Sequence, residues 1–329
     1  MKKIIRWALA GTGGISNAFA RGLRAAEGAQ PFAVVSRSKE NAANFAARHG
    51  VQKTYVDFEA MLNDGDIDVV YLGVPHSAHK ALAIQAFKAG KAVLCEKPAA
   101  INAAELSEMI RCAREHKVFF MEAMWTRFVP PLCKVREWLA DDLIGEVRMV
   151  QGNFGFRASV PSSHRLLDIQ QGGGALLDAG VYPLSLASMV FGGAKPQKTT
   201  GVLSIGASGV DETAAALVHW GPHKTAMISA SLSLATVSDA WIYGTEGYIH
   251  LPTFVFCRSA NLAIAGKSAS HWEGDFRGNG YNYEAEAVMD CIREGRHESE
   301  IMPLDESLII AQTMDEIRRE WGFVYPQER

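Results

Sequence analysis

The sequence predicts an α/β domain built on a doubly wound parallel sheet, followed by an α+β domain with a mainly antiparallel sheet. Three observations carry that expectation. Short apolar runs rich in β-branched residues alternate with helix-like stretches from Ile4 to about Met121. A glycine-rich turn separates the first run from the first helix. After Met121 the alternation gives way to strands that follow one another closely.

The runs Ile4–Ala10, Phe32–Val35, Val69–Val74, Ala92–Cys95 and Val118–Met121 read as strands. They lack in/out alternation, as expected of strands covered on both faces. Ser16–Ala26, Lys39–His49, Phe58–Leu62, Ala78–Ala89 and Ala103–His116 read as the helices between them. Beyond a boundary near residues 122–125, Leu132–Leu139 reads as a helix and Glu146–Phe156 as a strand. Gly172–Gly174 opens a further helix-like stretch that reaches about Val190. Strands then crowd between Thr199 and Leu251, including Ala214–Trp220, Thr225–Ser233 and Tyr248–Leu251, and Tyr283–Glu294 and Asp305–Trp321 read as closing helices. The expected division is therefore 1–123 and 124–329.

With 329 residues, 48% hydrophobic and 21% charged, the chain can fill two cores. Lys+Arg 33 against Asp+Glu 36 leaves no basic surplus to neutralise a phosphate backbone, which argues against nucleic acid as a partner. No apolar run is expected to approach the roughly 20 residues of a membrane-spanning helix. Lys2-Lys3 before Ile4-Ile5 is too briefly followed by apolar residues, interrupted at Arg6, to be a signal segment. The five cysteines are scattered without Cys-x-x-Cys or Cys/His spacing, so a cytoplasmic, reducing setting without a zinc site is expected.

The turn Gly11-Thr12-Gly13-Gly14-Ile15-Ser16 carries the first chemistry. A tight turn needs no side chain at Gly11, and Gly13 allows a pyrophosphate to approach the backbone. The following helix N-terminus directs N–H groups and a partial positive charge at that anion. Ser16 stands where a third small residue lets helix and strand pack closely. An NAD-binding fold usually places an acid at the end of the second strand, on the ribose 2′-hydroxyl. Here Ser36-Arg37-Ser38 stands instead, a set suited to a 2′-phosphate, so the expected cofactor is NADP rather than NAD.

Lys97 follows the fourth of these runs, where strand C-termini face the ligand crevice. Its charge there would serve a nicotinamide-side reaction, although position alone also suits a snorkelling surface lysine. Asp178 and Tyr182 are four apart and share a helix face if that stretch is helical, with Gly180 and Pro183 predicting a local kink.

The glycine-rich loop, Pro75-x-x-x-His79, Glu96-Lys97-Pro98 and Gly172-Gly173-Gly174-Ala175-Leu176-Leu177-Asp178-Ala179-Gly180, in that order along nearly the whole chain, resemble the Gfo/Idh/MocA oxidoreductase family. Met121-Glu122-Ala123-Met124-Trp125-Thr126-Arg127-Phe128, Tyr182 and Met189-Val190-Phe191-Gly192-Gly193 are most similar to its dimeric dihydrodiol dehydrogenase branch, which is similar to NADP-linked xylose and other sugar dehydrogenases. The resemblance implies a Rossmann domain followed by an open-faced sheet that commonly forms a dimer interface. It implies Lys97 as a catalytic residue, Tyr182 where most members carry a histidine, and cofactor contacts from Pro75, His79, Glu96 and Arg165. His76 departs from the asparagine frequent after that proline.

The expected chemistry is hydride transfer between NADP and a secondary alcohol or carbonyl of a cyclic polyol, sugar or trans-dihydrodiol. Tyr182 would act as general acid/base, Lys97 would stabilise the phenolate and developing alkoxide, and Asp178 would orient substrate or lysine. Trp125 and Phe128 would wall the substrate, and Arg127 would contact its oxygens. His164 and His271 read as structural. A non-catalytic nucleotide sensor or co-repressor-like protein of the same fold is the competing reading. An NAD-linked glycosidase relative would need manganese and a ligand cluster that the sequence does not offer.

Overall fold

The apolar runs of the N-terminal part become strands because their side chains are buried on both faces. The structure, a computed structural model that describes residues 3–329, places Lys2 of the basic start outside the described residues. The elements begin with β1 (Ile5–Ala10), α1 (Gly14–Leu23), β2 (Ala29–Val35), α2 (Lys39–His49), β3 (Lys53–Tyr55) and α3 (Phe58–Leu62). They continue with β4 (Val69–Leu72), α4 (His76–Lys88), β5 (Ala92–Glu96), α5 (Ala103–His116) and β6 (Phe120–Ala123). The six strands form a parallel sheet in the order β3-β2-β1-β4-β5-β6, so the chain reverses direction across the sheet beside β1 and β4. β3 escaped the sequence reading because three residues at a sheet edge make no apolar run.

A 3₁₀ turn, Trp125–Phe128, leads to α6 (Pro130–Ala140), β7 (Val147–Gly155) and α7 (Val181–Val190). Then come β8 (Lys198–Ile205), β9 (Asp211–Gly221), β10 (Lys224–Ser231), β11 (Ala240–Gly244), β12 (Gly247–Leu251), β13 (Ser259–Ile264), β14 (Ser270–Glu273), α8 (Tyr281–Arg293) and α9 (Leu304–Glu320). β7 to β14 make one mixed sheet in the order β14-β13-β12-β11-β7-β10-β9-β8, antiparallel except where β10 meets β7. α7 is buried all round and packs on β7 and β10; a side chain at Gly152 of β7 would meet Pro183 Cβ at 3.0 Å.

The chain divides into two units. One comprises the chain up to Ala100, Ala104–Phe128 and Phe276–Ser307; the other comprises Ile101–Ala103, Val129–Asp275 and Leu308–Arg329. This differs from a single cut at 123/124, because α8 returns to the first unit. Its buried face (Glu284, Ala285, Val288, Met289, Cys291) packs with α1, where a side chain at Gly22 would meet Asn279 Oδ1 and Tyr281 Cβ, each at 2.8 Å.

The helix expected after the glycine triplet is composite. A 3₁₀ turn (Ile169–Gln171) and a π-helical turn (Leu176–Gly180) precede α7. Pro183 has no N–H for the carbonyl four residues back, and the wider turn ahead of it absorbs the mismatch. Contrary to the expectation that no stretch comes near a membrane span, Ile169–Val190 has the length and apolarity for one. Its apolar window is 89% buried within the fold, as in a core helix.

Candidate active site

In the first unit the glycine-rich turn is fixed by backbone geometry. Gly11 has φ +97°, and a Cβ there would sit 2.6 Å from Gly73 O, so no other residue fits. Ser16 is fully buried and donates to Gly73 O at 3.3 Å, the close helix–strand contact that its small size allows. Gly13 and Gly14 differ: a Cβ on either meets nothing within 4 Å, so this side of the loop is open. Gly13 leads into α1 without a side-chain cap and no acid stands in the first turn, so the first N–H groups of the helix are not blocked by a carboxylate. Asn17 shapes the turn further, donating from Nδ2 to Thr12 O at 3.0 Å and Gly13 O at 2.9 Å.

At the end of β2, Arg37 is exposed and flanked by Ser36 and Ser38. Ser38 also caps α2, its hydroxyl accepting from Asn41 N at 3.2 Å, while its own N–H donates to Ser36 Oγ at 3.4 Å. The two serines therefore fix the strand–helix corner from which Arg37 projects.

The ends of β4 and β5 are bound together by a histidine. His79 is fully buried, with its ring nitrogens 2.9 Å from Val74 O and 3.1 Å from Pro98 O. Pro75 caps the start of α4 with φ −59°, the helix that carries His79. Burial and these carbonyl contacts make His79 a staple between two strand-end loops. Lys97 is 9% exposed, and its bond to Pro98 is cis. Behind it, Glu96 Oε1 accepts from Tyr71 OH at 2.6 Å and Oε2 from Lys97 N at 3.3 Å. Ala99 N donates to Glu122 Oε1 at 2.9 Å, so two buried carboxyl groups brace the segment that bears Lys97. Burial pushes the Glu122 carboxyl upward from its ordinary range. Burial, then the nearby Glu96 charge, drives Glu284 well above the usual carboxylate range and Tyr71 well above the usual phenol range.

Trp125 and Phe128 are both 4% exposed, and the Trp125 ring lies 4.9 Å from that of Tyr281. Arg127, expected to meet substrate, is instead taken up inside the first unit. It is 2% exposed, donates to Glu306 at 2.6 and 2.9 Å and to Ile301 O at 3.1 Å, and so holds the start of α9. A buried guanidinium needs this bidentate partner.

In the second unit, Asp178 (5% exposed) and Tyr182 (7% exposed) lie on the π turn and the first turn of α7. The π turn is anchored by Asp211 of β9, whose Oδ2 accepts from Leu176 N at 2.6 Å. Burial raises Asp211 to about 7, against the lowering effect of the backbone N–H of Leu176. Arg165 Nη1 donates to Asp178 Oδ1 at 2.7 Å, so the residue read as a cofactor contact is also Asp178's counter-ion. Phe154, which the sequence reading missed because it sits in an ordinary strand pattern, places its ring edge-on to Tyr182 with centroids 5.6 Å apart; Phe156 and Phe256 flank it at 5.6 and 6.0 Å. Among the described residues, no group of three or more His, Cys, Asp or Glu is arranged to hold a metal ion.

The first unit thus offers an open glycine turn at a helix N-terminus and a basic strand end, and the second a buried carboxylate held by Arg165 and a buried phenol beside Phe154. Two family models match in tandem: the oxidoreductase family, NAD-binding Rossmann fold, over residues 5–124, and the GFO/IDH/MocA C-terminal domain over residues 132–250. The chain belongs to the GFO/IDH/MocA oxidoreductase family. It is 38% identical over 338 residues to trans-1,2-dihydrobenzene-1,2-diol dehydrogenase of Bos taurus, covering 99% of each chain. Its identity to the Homo sapiens enzyme of that name is 36% over 335 residues, again 99% of each chain. A 3-ketoreductase from Actinomadura kijaniata, solved with NADP and TDP-benzene, superposes with TM-score 0.86 at 24% identity, covering 96% of this chain and 98% of the other. A levoglucosan dehydrogenase solved with NADH and levoglucosan superposes with TM-score 0.89 at 20% identity, covering 97% of this chain and 98% of the other. These two share the fold.

The residues present fit a dinucleotide. The cradle above Gly13 and Gly14 is open, the first turn of α1 carries no acid, and Ser36-Arg37-Ser38 rather than an acid directly follows β2. The chain is an oxidoreductase of that family, with an NAD-binding Rossmann fold over residues 5–124.

Proposed function

We propose that the chain is an NADP-dependent dehydrogenase or reductase acting on a secondary alcohol or carbonyl of a cyclic polyol, sugar or trans-dihydrodiol. The observation that carries this reading is the open glycine cradle with its Arg37 corner in the first unit; the buried Asp178 and Tyr182 beside Phe154 in the second agree with it. The full-length relatives named for a trans-dihydrodiol support the substrate class.

In this reading Gly11, Thr12, Gly13, Gly14 and Ile15 hold the pyrophosphate, and Ser36, Arg37 and Ser38 the 2′-phosphate. Pro75, His79 and Glu96 shape the floor on which the nicotinamide lies. The bound cofactor supplies a hydride acceptor or donor. Tyr182 takes the hydroxyl proton in oxidation and returns it in reduction. A free tyrosine titrates at ~10, so its phenolate needs a stabilising charge, the role proposed for the Lys97 ammonium. Asp178, held by Arg165, orients the substrate hydroxyls, and Trp125, Phe128 and Phe154 present apolar faces to its ring.

The chain is further proposed to act as a homodimer through the face of the large sheet opposite α7. Leu217 pairs with Met227 across β9 and β10, and Val202 lies on the same face. These three are 52%, 43% and 57% exposed, an apolar stripe of the kind that subunits cover. A cytoplasmic, reducing setting agrees with five free cysteines. Sedimentation of the wild type and of Leu217→Lys tests the interface; a monomeric wild type would reject it.

The deciding assay offers trans-1,2-dihydrobenzene-1,2-diol, D-xylose and levoglucosan with NADP⁺ and NAD⁺. Tyr182→Phe and Lys97→Met are expected to lower kcat by about 10²–10⁴-fold while NADP⁺ binding persists. Turnover unchanged in both variants would overturn the assignment of roles. Cofactor binding with no turnover across the panel would favour the sensor.

A further inference from the structure

The C-terminal segment after α9 has no part in the chemistry above, yet its side chains converge on the loop that presents Arg165 to Asp178. Tyr325 is fully buried, and its hydroxyl donates to Gly173 O at 2.8 Å. Gln327 Nε2 donates to Gln170 O at 2.6 Å, a second bond to the same loop three residues away. The segment is itself locked from behind. Glu328 accepts Tyr325 N at 2.7 Å, both Arg318 amino groups at 2.7 and 3.0 Å, and Asn102 Nδ2 at 3.1 Å. Arg318, 3% exposed, also donates to Asp315 at 2.5 Å, and its guanidinium lies 5.0 Å from the Tyr325 ring centroid.

The loop needs such a hold. Gly173 sits so close to the carbonyls of Arg165 and Leu166 that a Cβ would meet each at 2.7 Å, and Gly174 has φ +131°. Gly174 N donates back to Leu166 O at 3.0 Å and Gly173 N to Asp168 O at 3.0 Å, so the carbonyl that Tyr325 grips lies at the closing point of the loop 165–174. Arg165 at the other end is 40% exposed in its side chain and reaches Asp178 from that closed turn. Displacing Gly173 therefore displaces the backbone that aims Arg165.

We propose that Tyr325, backed by Glu328 and Gln327, is a positioning residue for the Arg165–Asp178 pair and so for the orientation of substrate. The proposal rests on the reading that Asp178 meets substrate. Tyr325→Phe keeps the ring against Arg318 and Phe323 and removes only the hydroxyl. With trans-1,2-dihydrobenzene-1,2-diol and NADP⁺, it is expected to raise the substrate KM about tenfold, leave NADP⁺ affinity unchanged, and speed amide exchange across 165–174 but not in β8–β10. Gln327→Ala, at an exposed bond, is expected to raise KM about threefold and serves if Tyr325→Phe does not fold. Asp178→Asn is the control. If it raises KM and neither tail variant does, the inference is overturned and the proposed site stands. If Asp178→Asn leaves KM unchanged, the reading of the site fails, and the inference with it.

Discussion

In the first unit, the groups expected to meet the cofactor are set by the main chain. Gly11 turns where a Cβ would strike Gly73 O, Ser16 packs under the loop, and the α1 N-terminus is left clear. In the second unit the side chains proposed to meet substrate are held by residues distant in sequence. Asp211 lies 35 positions from Leu176, Tyr325 lies 152 from Gly173, and Arg165 lies 13 from Asp178. The first arrangement suits a part common to many reactions, for which a local backbone motif suffices. The second must aim individual side chains, which takes a fixed frame on several sides.

Four substitutions would break or sharpen that contrast, from the largest expected effect to the smallest. Gly174→Ala places a Cβ against Asp211 Oδ1 at φ +131°, and is expected to destabilise the fold by about 3 kcal/mol or more, read by denaturant unfolding. Gly13→Ala enters open space, so stability is expected to stay within about 0.5 kcal/mol while NADP⁺ affinity falls about a hundredfold, measured by nucleotide fluorescence. Equal losses of stability in these two variants would erase the distinction between the units. Arg37→Ala is expected to weaken NADP⁺ by about 2 kcal/mol and leave NAD⁺ nearly untouched; unchanged preference would remove Arg37 from the cofactor site.

The smallest effect concerns Asp211. Its folded-state value, raised to about 7 by burial, lies above that of an ordinary aspartate, so the folded chain holds the proton more tightly than the unfolded chain. The stability this contributes is full below the ordinary aspartate range and is lost as pH rises through about 7. Asp211→Asn removes that loss. Relative to wild type it is expected to gain about 1–2 kcal/mol between about pH 6 and pH 8, read as a pH series of unfolding midpoints. A flat difference would show that Asp211 is ionised throughout.

Much of the first unit was legible because its signals are local: apolar runs, a glycine turn, and the absence of an acid at Ser36-Arg37-Ser38. The return of α8 was not, since the segment from Tyr281 reads simply as a helix next to its chain neighbours. Its match to α1 depends on Gly22, whose meaning appears only when Tyr281 and Asn279 are seen against it. Arg127 shows a second limit: an arginine at a domain junction carries the same letter whether it meets substrate or, as here, Glu306. Phe154 and Tyr325 were missed for a related reason. An aromatic in a strand and a tyrosine in a tail acquire direction only from Tyr182 and Gly173. Lys97 and the Asp178–Tyr182 spacing stood out because ordered motifs marked them, not because their surroundings could be read.

The return of α8 to α1 has a consequence for synthesis of the chain. Nearly 150 residues of the second unit emerge from the ribosome between Phe128 and the segment from Phe276 onward, which the first unit needs to cover Gly22 of α1. Until then the nascent Rossmann half has an uncovered flank. A gene fragment ending at Phe128 should therefore yield a sticky, protease-sensitive polypeptide, whereas one that splices 276–307 directly onto it has the parts to become a free-standing nucleotide-binding module.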